Sequence, residues 1–106
     1  MTCTFRILLV DDFEPWRSFV ASLLRQNPEW QIICEVSDGL EAIQKAKEFQ
    51  PDLIVLDIGL PKLNGIEAAS SIRNVAPESK ILFHLPLLSP QSSVLSPQNR
   101  PSSLAL

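Results

Sequence analysis

Apolar and polar positions along this chain fall into two alternating rhythms. Leu53-Ile54-Val55-Leu56 is a run of large aliphatic residues bounded by Pro51-Asp52 before it and by Gly59 and Pro61 after it, which predicts a short strand buried on both faces. Arg6-Ile7-Leu8-Leu9-Val10 is a second such run. Trp30 to Val36 alternates only in part, as an edge strand with one less-covered face would, and Lys80-Ile81-Leu82-Phe83 opens a fourth strand.

Between these runs the apolar spacing changes to that of helices. Behind Pro15, which fits the first turn of a helix, Trp16, Phe19, Val20, Leu23 and Leu24 form one stripe that ends at Asn27-Pro28. Asp38-Gly39-Leu40-Glu41 has the form of a capping box, and Leu40, Ile43, Ala46 and Phe49 continue a second stripe to Gln50-Pro51. Asn64 with Glu67 offers another capping pair, and Ile66, Ala69, Ile72 and Val75 mark a third helix ending at Ala76-Pro77. Strands alternating with helices of this length predict βαβ crossovers, hence an α/β fold in which a doubly wound parallel sheet carries helices on both faces.

From His84 onward the pattern stops. Residues 84–106 hold four prolines, six serines, one arginine and no acidic residue, and proline at that spacing interrupts helix and strand alike. The expected organisation is a partial domain over residues 1–83 followed by an irregular or disordered Pro/Ser/Leu-rich tail over 84–106.

At 106 residues there is room for one small domain. A net charge of −3 argues against a nucleic-acid surface, so no direct nucleic-acid contact is expected. Cys3 and Cys34 lack metal-ligand spacing and the density of a disulfide scaffold. The N-terminus shows no signal-peptide pattern, and no apolar stretch approaches the roughly 20 residues of a membrane span. The expected setting is a reducing cytoplasm, away from membranes.

The chemistry lies where the strands end. Val10 runs into Asp11-Asp12 and Leu56 into Asp57, so a parallel sheet sets these carboxylates on one edge, the edge at which open α/β sheets collect ligands. Carboxylates held within several Å repel one another unless protons or a cation intervene, and hard oxygen donors of this kind suit Mg²⁺. Ca²⁺ is disfavoured because nothing resembles an EF-hand loop. A carboxylate beside Mg²⁺ can also act as a nucleophile toward phosphorus. Taken singly, Asp11-Asp12 could be a helix cap with a solvated neighbour, and Asp57 a turn former.

The apolar strand into Asp11-Asp12, then Asp57 with Pro61 four residues on and Asn64-Gly65 beyond, resembles the receiver domain of bacterial two-component response regulators over about Phe5 to Phe83. The resemblance implies a flavodoxin-like (CheY-like) fold with a five-stranded sheet, of which the pattern supplies four strands. It implies that Asp57 accepts a phosphoryl group from a sensor histidine kinase or phosphotransfer protein, and that Asp11, Asp12 and Asp57 hold Mg²⁺ with the backbone carbonyl of Gly59. More weakly, the sequence resembles receivers that carry a helix-turn-helix output domain, and none is found here. The oligomeric state is left open.

The pattern also departs from that family. The place of the expected Ser or Thr hydroxyl, close to Leu85, is apolar, Ser89 is no evident substitute, and the fifth strand with its lysine and the last helix are missing. His84 stands alone ahead of Pro86 and is given no site role. So abrupt a break is what a shifted reading frame produces, which the nucleotide sequence would test. Losing a strand and helix that cover four or five large side chains costs about 6–15 kcal/mol, so a marginally stable domain with an exposed fourth strand is expected. The alternatives to a phosphoacceptor are a docking protein that is never phosphorylated and a non-functional remnant of a frameshifted regulator. An enzyme is not expected, since haloacid-dehalogenase-like phosphohydrolases carry a second acid two residues after the nucleophile, where this chain has Gly59.

Overall fold

The computed structural model describes residues 4–60 and 63–84. Four strands and three helices alternate along them: β1 (Phe5–Val10), α1 (Glu14–Leu24), β2 (Trp30–Val36), α2 (Gly39–Phe49), β3 (Leu53–Asp57), α3 (Gly65–Val75) and β4 (Lys80–His84). All strand pairs are parallel and the order is β2-β1-β3-β4, so the two aliphatic runs lie at the centre. The expected tail, Leu85 and Ser89 within it, and Cys3 and Pro61 lie outside the described residues.

Side chains of a strand alternate between faces, and the core divides accordingly. Leu8, Val10, Ile54 and Leu56 face one way and are covered by Ala42 and Ala46 of α2 and Ala68, Ala69 and Ile72 of α3. Ile7, Leu9 and Val55 face the other way, against Val20 and Ala21 of α1, with Trp16 and Leu24 packed beside them. This is the doubly wound arrangement that the strand and helix rhythm predicts.

The caps fall at the expected residues. Asp38 Oδ1 accepts the Glu41 N–H at 2.8 Å, and Asn64 Oδ1 accepts the Glu67 N–H at 2.9 Å, each satisfying a donor with no partner inside its own helix. Pro15 sits in the first turn of α1, whose N-cap, Phe13, makes no side-chain cap bond. At the far end of α2, the Arg6 guanidinium reaches from β1 to donate to the carbonyls of Phe49 and Gln50 at 2.7 and 2.9 Å. A cation placed there meets the negative end of the helix dipole.

The helical stripes need correction. Val20, Ala46, Ala69 and Ile72 are buried as expected, but Phe19, Leu23, Leu40 and Ile66, also expected on buried faces, are about half exposed, while Ala21, Ala42 and Ala68, outside the expected stripes, are buried. A helix lying on a sheet comes closest along the line of contact, where short side chains let the backbones approach, and some of the larger residues of its stripe are turned to the flanks. One further feature has no precedent in the pattern: the β1–β2 register slips between Ile7 and Leu8, so that Ile7 faces Ile32 while Leu8 faces Cys34. Ile33 is the extra residue of this bulge, on the edge strand where bulges are common.

Candidate functional site at the carboxyl edge of the sheet

Strand register assembles the site. Val10 pairs with Leu56, so Asp11, one residue on, is level with Asp57 across a parallel pair whose spacing is about 4.8 Å. Alternation turns both carboxylates toward the α1 face. Asp12 follows Asp11 into the loop and is exposed. One carboxylate oxygen from each of Asp11, Asp12 and Asp57 lies within 4.8 Å of the others, so the three acids that the sequence singles out are brought together.

Backbone donors orient two of them. The Phe13 N–H donates to Asp11 Oδ1 at 2.9 Å, and the Gly59 N–H donates to Asp57 Oδ1 at 2.9 Å. Each carboxylate is thus held by one oxygen, with its other oxygen left for the site. Gly59, singled out for its carbonyl, meets Asp57 here through its N–H. The Arg17 guanidinium of α1 donates to the Asp11 backbone carbonyl at 2.8 Å and to Glu35 of β2 at 3.2 Å, tying the acidic loop to the helix beside it.

Gly65 closes the loop after β3. Its N–H donates to the Ile58 carbonyl at 2.8 Å, and a Cβ in its place would lie 2.5 Å from the Asp57 carbonyl oxygen and 2.6 Å from the Ile58 Cα. The helix therefore begins directly against the backbone that carries Asp57. Gly39 plays a similar part at the start of α2, where an added Cβ would collide with the Leu63 carbonyl oxygen.

His84 is the residue that sequence reasoning missed. It pairs with Asp57 in the β3–β4 register, its carbonyl accepts the Ile58 N–H at 3.2 Å, and its Nε2 lies 3.2 Å from Asp11 Oδ2. Far from standing alone, it is buried at the same edge as the acids, with the Trp16 ring 6.4 Å away. The available signal was the one that found Asp11 and Asp57: an apolar run, Ile81 to Phe83, delivering a polar side chain at its carboxyl end.

Burial makes the site electrostatically tense. Asp57 is 2% exposed, and loss of solvation raises its carboxyl from 3.8 to about 6. The Gly59 N–H opposes that rise, the Asp11 charge adds to it, His84 opposes it and Asp12 adds to it. Between the two values the folded chain holds a proton that the unfolded chain has released. Metal-free stability should therefore be complete below about pH 4 and should fall as pH rises through about 6, by up to roughly 3 kcal/mol. Urea midpoints followed by tryptophan fluorescence between pH 4 and 7.5, with a chelator present, measure that slope. A midpoint that climbs over the same window would mean that Asp57 is stabilised as a carboxylate instead.

A doubly wound parallel sheet with an acidic cluster at its carboxyl edge defines the class of domain to which this structure conforms. Residues 7–84 match the response regulator receiver domain family, and the chain belongs to that family. Over 77 residues it is 32% identical to the transcriptional regulatory protein DegU of Brevibacillus brevis, an alignment covering 73% of this chain and 33% of that protein. The crystal structure of the response regulator domain of Thermotoga maritima CheB superposes with a TM-score of 0.75 at 33% identity, covering 86% of this chain and 67% of that one. The receiver domain of the sensor histidine kinase PA1611 from Pseudomonas aeruginosa PAO1, solved with a magnesium ion coordinated in its active-site cleft, superposes with a TM-score of 0.71 at 26% identity, covering 86% of this chain and 75% of that one. The curated relatives bear the names of transcriptional regulators and of protein-glutamate methylesterases alike, and the chain spans only 33% of the first and 22% of the second. Among the described residues no helix is long and apolar enough to cross a membrane.

Proposed function

We propose that the chain is a phosphoacceptor module of a two-component phosphorelay, in which Asp57 receives a phosphoryl group from a sensor histidine kinase or phosphotransfer protein. The observation that carries this reading is the gathering of Asp11, Asp12 and Asp57 at one sheet edge, their oxygens within 4.8 Å of one another. Such a donor set fits Mg²⁺: it is all oxygen, it is partly buried, and its charges repel without a cation. Asp11, Asp12, Asp57 and the Gly59 carbonyl are the residues that would hold it. When bound, the metal supplies positive charge that offsets the charge on phosphoryl oxygens and carboxylates.

In the transfer, an Asp57 oxygen attacks phosphorus, the phosphorus–nitrogen bond of the donor's phosphohistidine breaks, and the leaving imidazole takes up a proton. Asp57 Oδ1 accepts the Gly59 N–H, which fixes the orientation of the attacking carboxylate. The chain is then the substrate of its partner and not itself an enzyme. It works in the cytoplasm, apart from membranes and nucleic acid. The receiver part runs to the end of β4 at His84, one residue past the expected boundary at 83, and 85–106 lie beyond it.

Incubation with acetyl phosphate and Mg²⁺ should add one phosphoryl mass to the wild-type chain and none to Asp57→Asn or to chelator-treated protein. Equal labelling of the variant would discard Asp57 as the acceptor. One feature favours a second reading, a docking module that is not phosphorylated: Leu85 stands where the resemblance places a hydroxyl. That reading would lead if Mg²⁺ stabilised the wild-type chain but no donor labelled it.

A further inference from the structure

Among the described residues the sheet ends at β4, which pairs with β3 on one side and with no strand on the other. The Lys80 N–H donates to the Asp52 carbonyl at 3.0 Å, and the His84 carbonyl accepts the Ile58 N–H at 3.2 Å, so the backbone groups of Lys80, Leu82 and His84 turn inward to β3. Alternation then points the N–H and C=O of Ile81 and Phe83 out of the sheet edge. The two edges of the sheet are protected differently. β2 is broken by the bulge at Ile33 and carries Glu35 paired with Arg17 and Arg25, whereas β4 keeps unbroken register and holds no charge or proline from Ile81 to Phe83. Leu82, at its middle, is 39% exposed. A straight apolar edge of this kind is a template for another strand.

We propose that two copies of this chain join antiparallel along β4, about a twofold axis at Leu82, and that each copy thereby lays its Lys80 beside the acidic edge of the other. The strand is self-complementary in this register, as a twofold interface requires. Ile81 faces the partner's Phe83, and because both turn their backbone groups outward, each such pair exchanges both hydrogen bonds. Their side chains lie at the rim of the core beneath α2 and α3, which the cross-strand pair extends. Leu82 faces the partner's Leu82 on the α1 side of the sheet, so each covers apolar surface that the other exposes. At either end Lys80 faces the partner's His84, which is level with Asp57 in the β3–β4 register. Lys80 is exposed, and the edge it meets gathers Asp11, Asp12 and Asp57, so the charges are complementary. Parallel, in-register pairing would instead set lysine beside lysine.

Sedimentation of the full chain at increasing concentration, up to about 1 mM, should show a monomer–dimer equilibrium that weakens as salt is raised. Leu82→Lys, at an exposed position, sets like charges against each other on the axis and should leave only monomer. Lys80→Glu should weaken association about tenfold at low salt. Covalent capture reads the register directly and does not depend on those variants. In a chain carrying Cys3→Ser and Cys34→Ala, Leu82→Cys should cross-link to its counterpart on mild oxidation, because the Cα atoms of such an antiparallel pair lie about 4.5 Å apart, within disulfide reach. Lys80→Cys in the same background should not, since its two copies lie about 14 Å apart. A wild-type chain that stays monomeric throughout overturns the proposal. So does a dimer that Leu82→Lys leaves intact, a Lys80→Glu chain that associates as tightly as wild type, or a Lys80→Cys chain that cross-links as readily as Leu82→Cys. Every readout is taken without metal or phosphoryl donor, so its failure leaves the phosphoacceptor reading standing, and failed labelling by acetyl phosphate leaves the dimer standing.

Discussion

Asp57→Asn is expected to make the metal-free chain more stable at pH 7.5, by about 1–3 kcal/mol, and to abolish the shift in urea midpoint that Mg²⁺ produces in the wild type. The carboxylate at this position is 2% exposed, and burial, with smaller additions from the charges of Asp11 and Asp12, holds its carboxyl near 6. Asparagine keeps the shape and the acceptor for the Gly59 N–H while removing the charge that the fold disfavours. With a slope of about 1–2 kcal/mol/M for a chain of this size, the midpoint should rise by roughly 1 M urea. At pH 4, where the wild-type carboxyl already carries its proton, the two proteins should unfold alike. A variant less stable than wild type at both pH values would show that Asp57 is a structural carboxylate, and would remove the main physical reason to regard the site as built for a cation.

Gly65→Ala should act in the opposite direction, lowering stability by about 1–3 kcal/mol and weakening metal binding together with it. Two effects compete. Alanine in place of glycine favours a helix by up to about 1 kcal/mol. Against this stands a collision with the Asp57 carbonyl oxygen and the Ile58 Cα, 2.5 and 2.6 Å from the added atom. Both partners are backbone, so no rotamer change can relieve the contact. The α3 start must move away from β3, and the Ile58–Gly65 bond that fixes the loop lengthens with it. Ser70→Ala, at an exposed position of the same helix, is the control and should stay within about 0.5 kcal/mol of wild type. If Gly65→Ala matched that control, the tight closure of the loop would not be what positions Asp57.

Elements that depend on local chemistry could be read from the residues alone. Asp38 and Asn64 cap the helices they were expected to cap because a short side-chain acceptor two or three residues before an unsatisfied N–H satisfies it in any context. The aliphatic runs at Ile7–Val10 and Ile54–Leu56 became the two central strands because only a strand covered on both faces buries every residue of such a run. The apolar stripes were less informative. Periodicity gives the side of a helix that faces inward, but which residues are buried depends on how the helix lies across the sheet, and Ala42 joined the expected Ala46 in the core while Leu40 was turned outward.

The same division holds at the site. The sequence by itself determined which carboxylates could act together: strands ending in Asp11 and Asp57 must bring them to one edge once those strands pair in parallel, whatever the details of packing. The register of β1 on β3 and the pairing of β4 with β3 were decided only by the tertiary structure, and they are what put His84 against Asp11. The raised proton affinity of Asp57 is likewise a tertiary property, since loss of solvation and the field of neighbouring charges exist only when the sheet edge is assembled. Strand identity follows from short-range pattern. The distances between side chains on different strands follow from register and helix placement, which no local pattern encodes.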